Sequence, residues 1–221
     1  NLMNISMEDL HDLPKQMFES KIEKIIKSTS GKLIVKEYPT ASANSAHFRG
    51  LIKELAIKKS FKPDIIFIDY LNICGSSRFK GATNVNSYMY IKSIAEELRG
   101  LAVETNLPIM SATQTTRSGF VSTDIGLEDT SESFGLPATA DFMFALISNE
   151  ELDELNQIAV KQLKNRYNDP TMNKRFVIGI DRAKMKLFDV KMTEQNIVDS
   201  GQSEDTEDTF TSAVFDKTFR R

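Results

Sequence analysis

The sequence predicts an α/β fold, a mainly parallel central sheet with flanking helices and an antiparallel hairpin near the carboxyl end. Three observations carry that expectation. Lys62-Pro63-Asp64-Ile65-Ile66-Phe67-Ile68-Asp69-Tyr70-Leu71 contains four consecutive apolar residues, the pattern of a strand buried on both faces. Short apolar runs of this kind alternate with segments of helical spacing, the order from which parallel sheets are built. Farther on, Arg175–Ile180 and Met185–Val190 flank Asp181-Arg182-Ala183-Lys184 as the arms of a hairpin.

Residues 1–30 read as helix. Pro14 suits a first helical position, and Met17, Phe18, Ile22, Ile25 and Ile26 recur at helical spacing. Leu33-Ile34-Val35-Lys36-Glu37-Tyr38 reads as a short strand stopped by Pro39, and Phe48, Leu51, Ile52, Leu55 and Ile57 mark the next helix. With the central strand this gives β–α–β order and parallel pairing. The loop from Gly75 to Asn86 carries Arg78, Phe79 and Lys80. It reads either as a solvated connection or as an arm that touches phosphates.

Asn86 to Thr105 is the strongest helical signal, with Ile91, Ile94, Ala95, Leu98, Leu101 and Ala102 in one stripe and a Lys92–Glu96 pair on the other face. Ile109-Met110-Ser111-Ala112-Thr113-Gln114 reads as the next parallel strand. A polar stretch follows from Thr115 to Glu128, then a short helix near Asp129–Gly135 and an apolar strand over Ala138–Ile147. A short acidic helix at Asn149–Gln157, a strand at Ile158–Lys164 and a turn at 164–170 lead into the hairpin.

The chain has 221 residues, 40% of them hydrophobic and 27% charged, within the range of an ordinary globular domain. No apolar run approaches the about 18 residues of a membrane span, and no signal-peptide pattern opens the chain. The start at Asn1 carries the expectation of a fragment or processed product. A lone Cys74 excludes an internal disulfide and fits a reducing cytoplasm, and with only His11 and His47 it makes no zinc site. The formal charge of −3 is uneven: residues 193–221 carry seven carboxylates against Lys217, Arg220 and Arg221. This reads as a near-neutral body, residues 1–192, with an acidic, disordered tail.

In an open parallel sheet, the strand ends converge on a ligand crevice. Asp69 ends one strand there and Gln114 the next. Asp69 reads either as the carboxylate that holds nucleotide-bound Mg²⁺, directly or through water, or as a simple cap. Gln114 reads as a γ-phosphate sensor or water-orienting amide, or as a turn residue. Lys164 and Arg166 belong to a basic segment, either a solvated edge or cations that reach a phosphate on a neighbouring subunit. Gly31-Lys32 is not a phosphate loop, because G-x-x-x-x-G-K-[S/T] needs Gly and Ser/Thr where the chain has Ile26 and Leu33.

Four stretches together resemble the motor domain of DnaB-like hexameric replicative helicases, and within them those of T-even-type phages. They are Ile66-Phe67-Ile68-Asp69-Tyr70-Leu71, the run from Ile94 to Glu104, Gly135-Leu136-Pro137-Ala138-Thr139-Ala140-Asp141-Phe142, and Lys161-Gln162-Leu163-Lys164-Asn165-Arg166-Tyr167. The resemblance covers most of residues 1–190. It implies a RecA-like P-loop NTPase core, incomplete here, in a ring-shaped homo-hexamer. Such a ring hydrolyses ATP or another NTP with Mg²⁺ and translocates 5′→3′ on single-stranded DNA. It works in the cytoplasm of a host cell, with a primase, a loader and other replication proteins as expected partners and no membrane. By the resemblance Asp69 is the Mg²⁺-associated aspartate, Gln114 the strand-end glutamine that couples nucleotide state to DNA, Arg166 the arginine finger and Lys164 its companion. Arg78, Lys80, Arg117, Ser131, Glu132 and Ser133 fall in stretches that face the DNA channel. The family's Arg-Glu-Ser-Gly-like run reads Ser131-Glu132-Ser133-Phe134 here, without its cation and its glycine. The family's phosphate loop and water-activating glutamate precede Asn1, so the 221 residues alone are expected to be inactive. A RecA-type recombinase and a non-catalytic assembly module that has lost the phosphate loop are the alternative readings.

Overall fold

The computed structural model describes residues 2–79, 85–116, 125–129, 135–169, 172 and 174–191. The acidic tail expected over 193–221 lies outside these residues.

The amino-terminal helical stretch forms two helices, α1 (Met7–His11) and α2 (Lys15–Ser28), divided at Pro14, which precedes the first residue of α2. Proline has no N–H to give to the preceding turn, so one helix stops and the next begins. Helix α3 (Ser45–Lys59) opens with a reciprocal cap. Asn44 Oδ1 accepts from the backbone N–H of Ala46 and His47, and His47 Nδ1 accepts from Asn44 N. That cap accounts for one of the two histidines.

Strand β1 (Ile66–Ile68) is shorter than its apolar run, and a 3₁₀ turn, Leu71–Ile73, follows it. Helix α4 (Ser87–Thr105) carries the chain to β2 (Ile109–Ser111). Asn86 caps its start, and Asn106 ends it in a left-handed conformation at φ 53°. Strands β1 and β2 pair in parallel, with Ile66 beside Ile109 and Ile68 beside Ser111. The expected apolar stripe of α4 is its buried face, with Ile94 1% and Leu101 0% exposed. Ile91, Ile94, Ala95 and Leu98 form the main core cluster with Leu71, Cys74 and Leu136.

A second 3₁₀ turn, Leu127–Asp129, precedes helix α5 (Gly135–Thr139). Then β3 (Phe142–Ile147), helix α6 (Glu150–Glu154), β4 (Gln157–Asn165), β5 (Arg175–Asp181) and β6 (Lys186–Asp189) follow. Strands β3 to β6 form one antiparallel sheet in sequence order, with its own core cluster of Ile125, Ala145, Ile147 and Ala159. The hairpin expected at the carboxyl end is β5–β6, turning through residues 182–185. The antiparallel part is larger than that hairpin, because β3 and β4 join it.

Two expectations are corrected. Leu33–Tyr38 is no strand. It has no ladder partner among the described strands, and Leu33 and Val35 are 84% and 82% exposed. Its residues favour an extended chain, but a strand also needs the backbone groups of a neighbour. Tyr38 instead sets its ring edge-on to Phe48 of α3, 5.9 Å between centroids. The parallel pairing therefore joins β1 to β2 through α4. The strand expected within 138–147 begins only at Phe142, because residues 135–139 close a helical turn.

Candidate functional site

Asp69 follows directly on β1 and is exposed, and its peptide bond to Tyr70 is cis. The parallel register continues past it, since Leu71 N donates to Ala112 O at 3.1 Å. Gln114 is therefore brought to the same edge, and its Nε2 donates to the Tyr70 hydroxyl at 3.3 Å. Below them Ser111 Oγ donates to Ile68 O at 2.8 Å, and Thr113 Oγ1 to Asn72 Oδ1 at 2.9 Å. These bonds fix the edge while the Asp69 carboxylate has no partner among the described residues. Such an aspartate fits a Mg²⁺ ion held mainly by phosphates and water, which takes only one or two protein carboxylates. It does not fit a metal held by protein alone, since the described residues contain no cluster of three ligating side chains. Tyr70, Asn72 and Thr113 were not singled out from sequence. Tyr70 follows Asp69 directly, and that adjacency is the one signal available for it.

Lys164 and Arg166 sit at the carboxyl end of β4, beside β3. The β3–β4 register slips between Met143 and Phe144, and Arg166 N donates to Asp141 O at 3.0 Å as the chain leaves the sheet. The cations are gathered by the last carbonyls of α5. Lys164 Nζ donates to Pro137 O, Arg166 Nη2 to Ala138 O at 3.1 Å, and Arg99 Nη1 of α4 to Thr139 O at 2.8 Å. These carbonyls have no partner within the helix, so the cations complete them. Asp141 is the carboxylate of the group, 2.7 Å from Arg99 Nη1 and 3.0 Å from Arg166 Nη1. The Arg99 bond is the main reason the Asp141 carboxyl titrates below the usual range. Burial pushes the Lys164 ammonium down, and Arg166 nearby adds to the shift. Among the described residues no hydrogen bond or ion pair joins this cluster to Asp69 or Gln114. Sequence reading missed Arg99 and Asp141, although both lie in stretches that carry the resemblance.

The segment after the 3₁₀ turn is held by a carboxylate that sequence reading passed over. Glu97 Oε1 accepts from Ser76 Oγ at 2.7 Å and from Ser77 N at 2.9 Å, and Oε2 from Ser77 Oγ at 2.7 Å and Ser45 Oγ at 2.9 Å. Ser93 Oγ adds a bond at 3.3 Å. Burial pushes this carboxyl up, but the serine hydrogen bonds outweigh it and hold it at about 2. Next to this anchor Arg78 is exposed and pairs with Glu96, which Lys92 also approaches at 4.0 Å. Lys80, Arg117, Ser131, Glu132 and Ser133 lie outside the described residues.

The family model described as "DnaB-like helicase C terminal domain" matches residues 2–193. A DnaB-like replicative helicase of Enterobacteria phage T4 is 42% identical over 209 residues, 91% of this chain and 44% of the relative. The chain thus spans under half the length of that curated relative. Among solved structures, an ATPase domain superposes with a TM-score of 0.70 at 16% identity, covering 86% of this chain and 67% of its own. A DnaB-like replicative helicase described with its interactions with primase gives 0.67 at 17% identity, covering 86% and 46%. These two likenesses establish the fold, a RecA-like α/β core.

Proposed function

The chain belongs to the DnaB-like helicase C-terminal domain family, and on that premise we propose that it is the distal part of the motor domain of a replicative DNA helicase. The motor assembles as a hexameric ring, hydrolyses ATP between subunits and drives single-stranded DNA through its centre in the 5′→3′ direction, in the cytoplasm of a host cell. Residues 1–192 are motor and 193–221 an acidic tail open to a partner such as a primase or loader.

One observation carries the reading. The exposed Asp69, without a partner among the described residues, and the amide of Gln114 share one strand edge in a chain 42% identical to a phage replicative helicase. Asp69 is placed to hold Mg²⁺ on the nucleotide, directly or through water. When bound, that ion neutralises charge on the β- and γ-phosphates. Gln114 is oriented by Tyr70 toward the same crevice, where it senses the γ-phosphate and passes its state to the DNA-facing loops. Among the described residues of their own chain Lys164 and Arg166 share no hydrogen bond or ion pair with Asp69, which suits action on a neighbour's nucleotide. There the Arg166 guanidinium binds two phosphate oxygens and offsets charge that develops as water displaces ADP from the γ-phosphorus.

ATP turnover by the assembled helicase tests this. Arg166→Ala is expected to lower turnover by about 10³ or more while each subunit still binds nucleotide. Equal loss of binding and turnover sinks the action in trans. The 221-residue chain by itself, whose sequence holds no G-x-x-x-x-G-K-[S/T] run, is expected to show no DNA-stimulated hydrolysis in the same assay.

A further inference from the structure

Arg166 is held in this structure, and the way it is held involves two residues with no role so far. A single oxygen, Asp141 Oδ1, takes Arg99 Nη1 at 2.7 Å and Arg166 Nη1 at 3.0 Å. Arg99 is the nearer of the two. It is carried by the 19-residue helix α4 and tied down a second time at Thr139 O, 2.8 Å away. Arg166 lies just beyond the end of β4, with 45% of its side chain exposed, and its second bond is to Ala138 O. Arg99 and Arg166 share the carboxylate, Lys164 sits beside them on Pro137 O, and the arginines' other partners are neutral carbonyls of α5. The cluster keeps an excess of positive charge that an anion would balance.

The geometry points to Asp141 as the resting partner of Arg166, and to Arg99 as the positioning residue that lets Arg166 leave it. The inference rests on the reading of Arg166 as a group that acts on a neighbouring subunit's nucleotide. When Arg166 turns away, Asp141 keeps Arg99 and is not left as a lone, part-buried carboxylate, the costly state. The two guanidiniums also repel each other across the shared oxygen, which loosens the resting contact. Without Arg99 the whole attraction of Asp141 falls on Arg166, and its departure strands the carboxylate. Arg99 therefore acts through Asp141 and needs no contact with nucleotide.

Steady-state ATP turnover of the assembled helicase tests the arrangement with Arg99→Ala, Asp141→Asn, the double variant and Arg99→Lys. Arg99→Ala is expected to lower kcat about tenfold with KM nearly unchanged, a coupling of ordinary size for side chains in contact. Adding Asp141→Asn to it is expected to restore kcat to near wild type, because the tightened grip is gone. Arg99→Lys keeps the charge and is expected to stay close to wild type. A pair that only supports the fold gives losses that add. Additive losses, an unchanged kcat in Arg99→Ala, or a loss in Asp141→Asn as large as in Arg99→Ala each overturn the inference. If Arg99→Ala does not assemble, Arg99→Gln, which can keep the bond to Thr139, is read in its place. Arg166→Ala in the same assay separates the two levels. Turnover that survives it removes the underlying reading; turnover that is lost, with kcat unchanged in Arg99→Ala, removes only the positioning role.

Discussion

The carboxyl edge of β1 and β2 and the carboxyl end of β4 are built on opposite electrostatic terms. At the first, backbone and side-chain bonds tie the two strands together while the Asp69 carboxylate has no partner among the described residues. At the second, Arg99, Lys164 and Arg166 are each bonded and one carboxylate is shared by the two arginines. An open carboxylate contributes little to stability and is free to take a ligand at once. An engaged cation must give up a partner before it acts. The difference places readiness on the Asp69 side and restraint on the Arg166 side of the same chain.

Asp69→Asn breaks the open side most sharply. Turnover of the assembled helicase is expected to fall about a hundredfold, the rate equivalent of losing roughly 3 kcal/mol of metal-assisted charge stabilisation. Stability is expected to stay within about 0.5 kcal/mol, because no bond among the described residues ends on this side chain. Kinetics at varied Mg²⁺ and a urea titration of the same sample measure both halves. Unchanged kinetics rule out the metal role, and a large loss of stability means that Asp69 was a cap after all.

The two sides also differ in how far sequence reveals them. Asp69 and Gln114 each end an apolar run, so local pattern marks them and the parallel register joins them. Lys164 and Arg166 are visible as cations after a strand, but their partners are not. Asp141 reads as part of the strand expected over Ala138–Ile147 and Arg99 as a polar position on an amphipathic helix. Only the docking of α5 on α4 through Leu136 sets them side by side. Glu97 is hidden for the same reason, since Ser45, Ser76, Ser77 and Ser93 arrive from three separate stretches. The strand expected at Leu33–Tyr38 fails in the converse way. Its local pattern is sound, but a ladder depends on a neighbour that no local pattern supplies.

Glu97 is an anion satisfied without any cation, and this sharpens the contrast. Glu97→Ala leaves four serines without their common acceptor, and a loss of about 2–3 kcal/mol is expected by urea unfolding. The carboxyl titrates at about 2 in the folded chain, against 4.5 for an ordinary glutamate. Its contribution is therefore complete above pH 4.5 and is lost as pH falls through 2. The difference in stability between wild type and Glu97→Ala is expected to shrink over that window, as unfolding midpoints at successive pH values will read. A constant difference would leave the network with packing alone as its role.

Arg78 stands between the two cases and carries the smallest effect. Its backbone N–H donates to Ser76 Oγ at 3.2 Å, so the Glu97 network fixes where the residue sits. Its side chain is exposed and, among the described residues, held by Glu96, also near the surface. An exposed pair of this kind contributes about 0–1 kcal/mol, so a DNA phosphate can displace Glu96 at little cost. Arg78 rests on one ion pair where Arg166 has a carboxylate and a carbonyl, as suits a contact made and broken at each step along a strand. Arg78→Ala is expected to weaken single-stranded DNA binding by the assembled helicase only a few-fold and equally for all sequences. It should also reduce the slope of log affinity against log salt by about 0.7, the share of one phosphate on a single strand. Glu96→Gln is expected to shift affinity the other way, since it frees Arg78 in advance. Fluorescence anisotropy over a salt series reads both, and a slope unchanged in Arg78→Ala places the DNA path away from this segment.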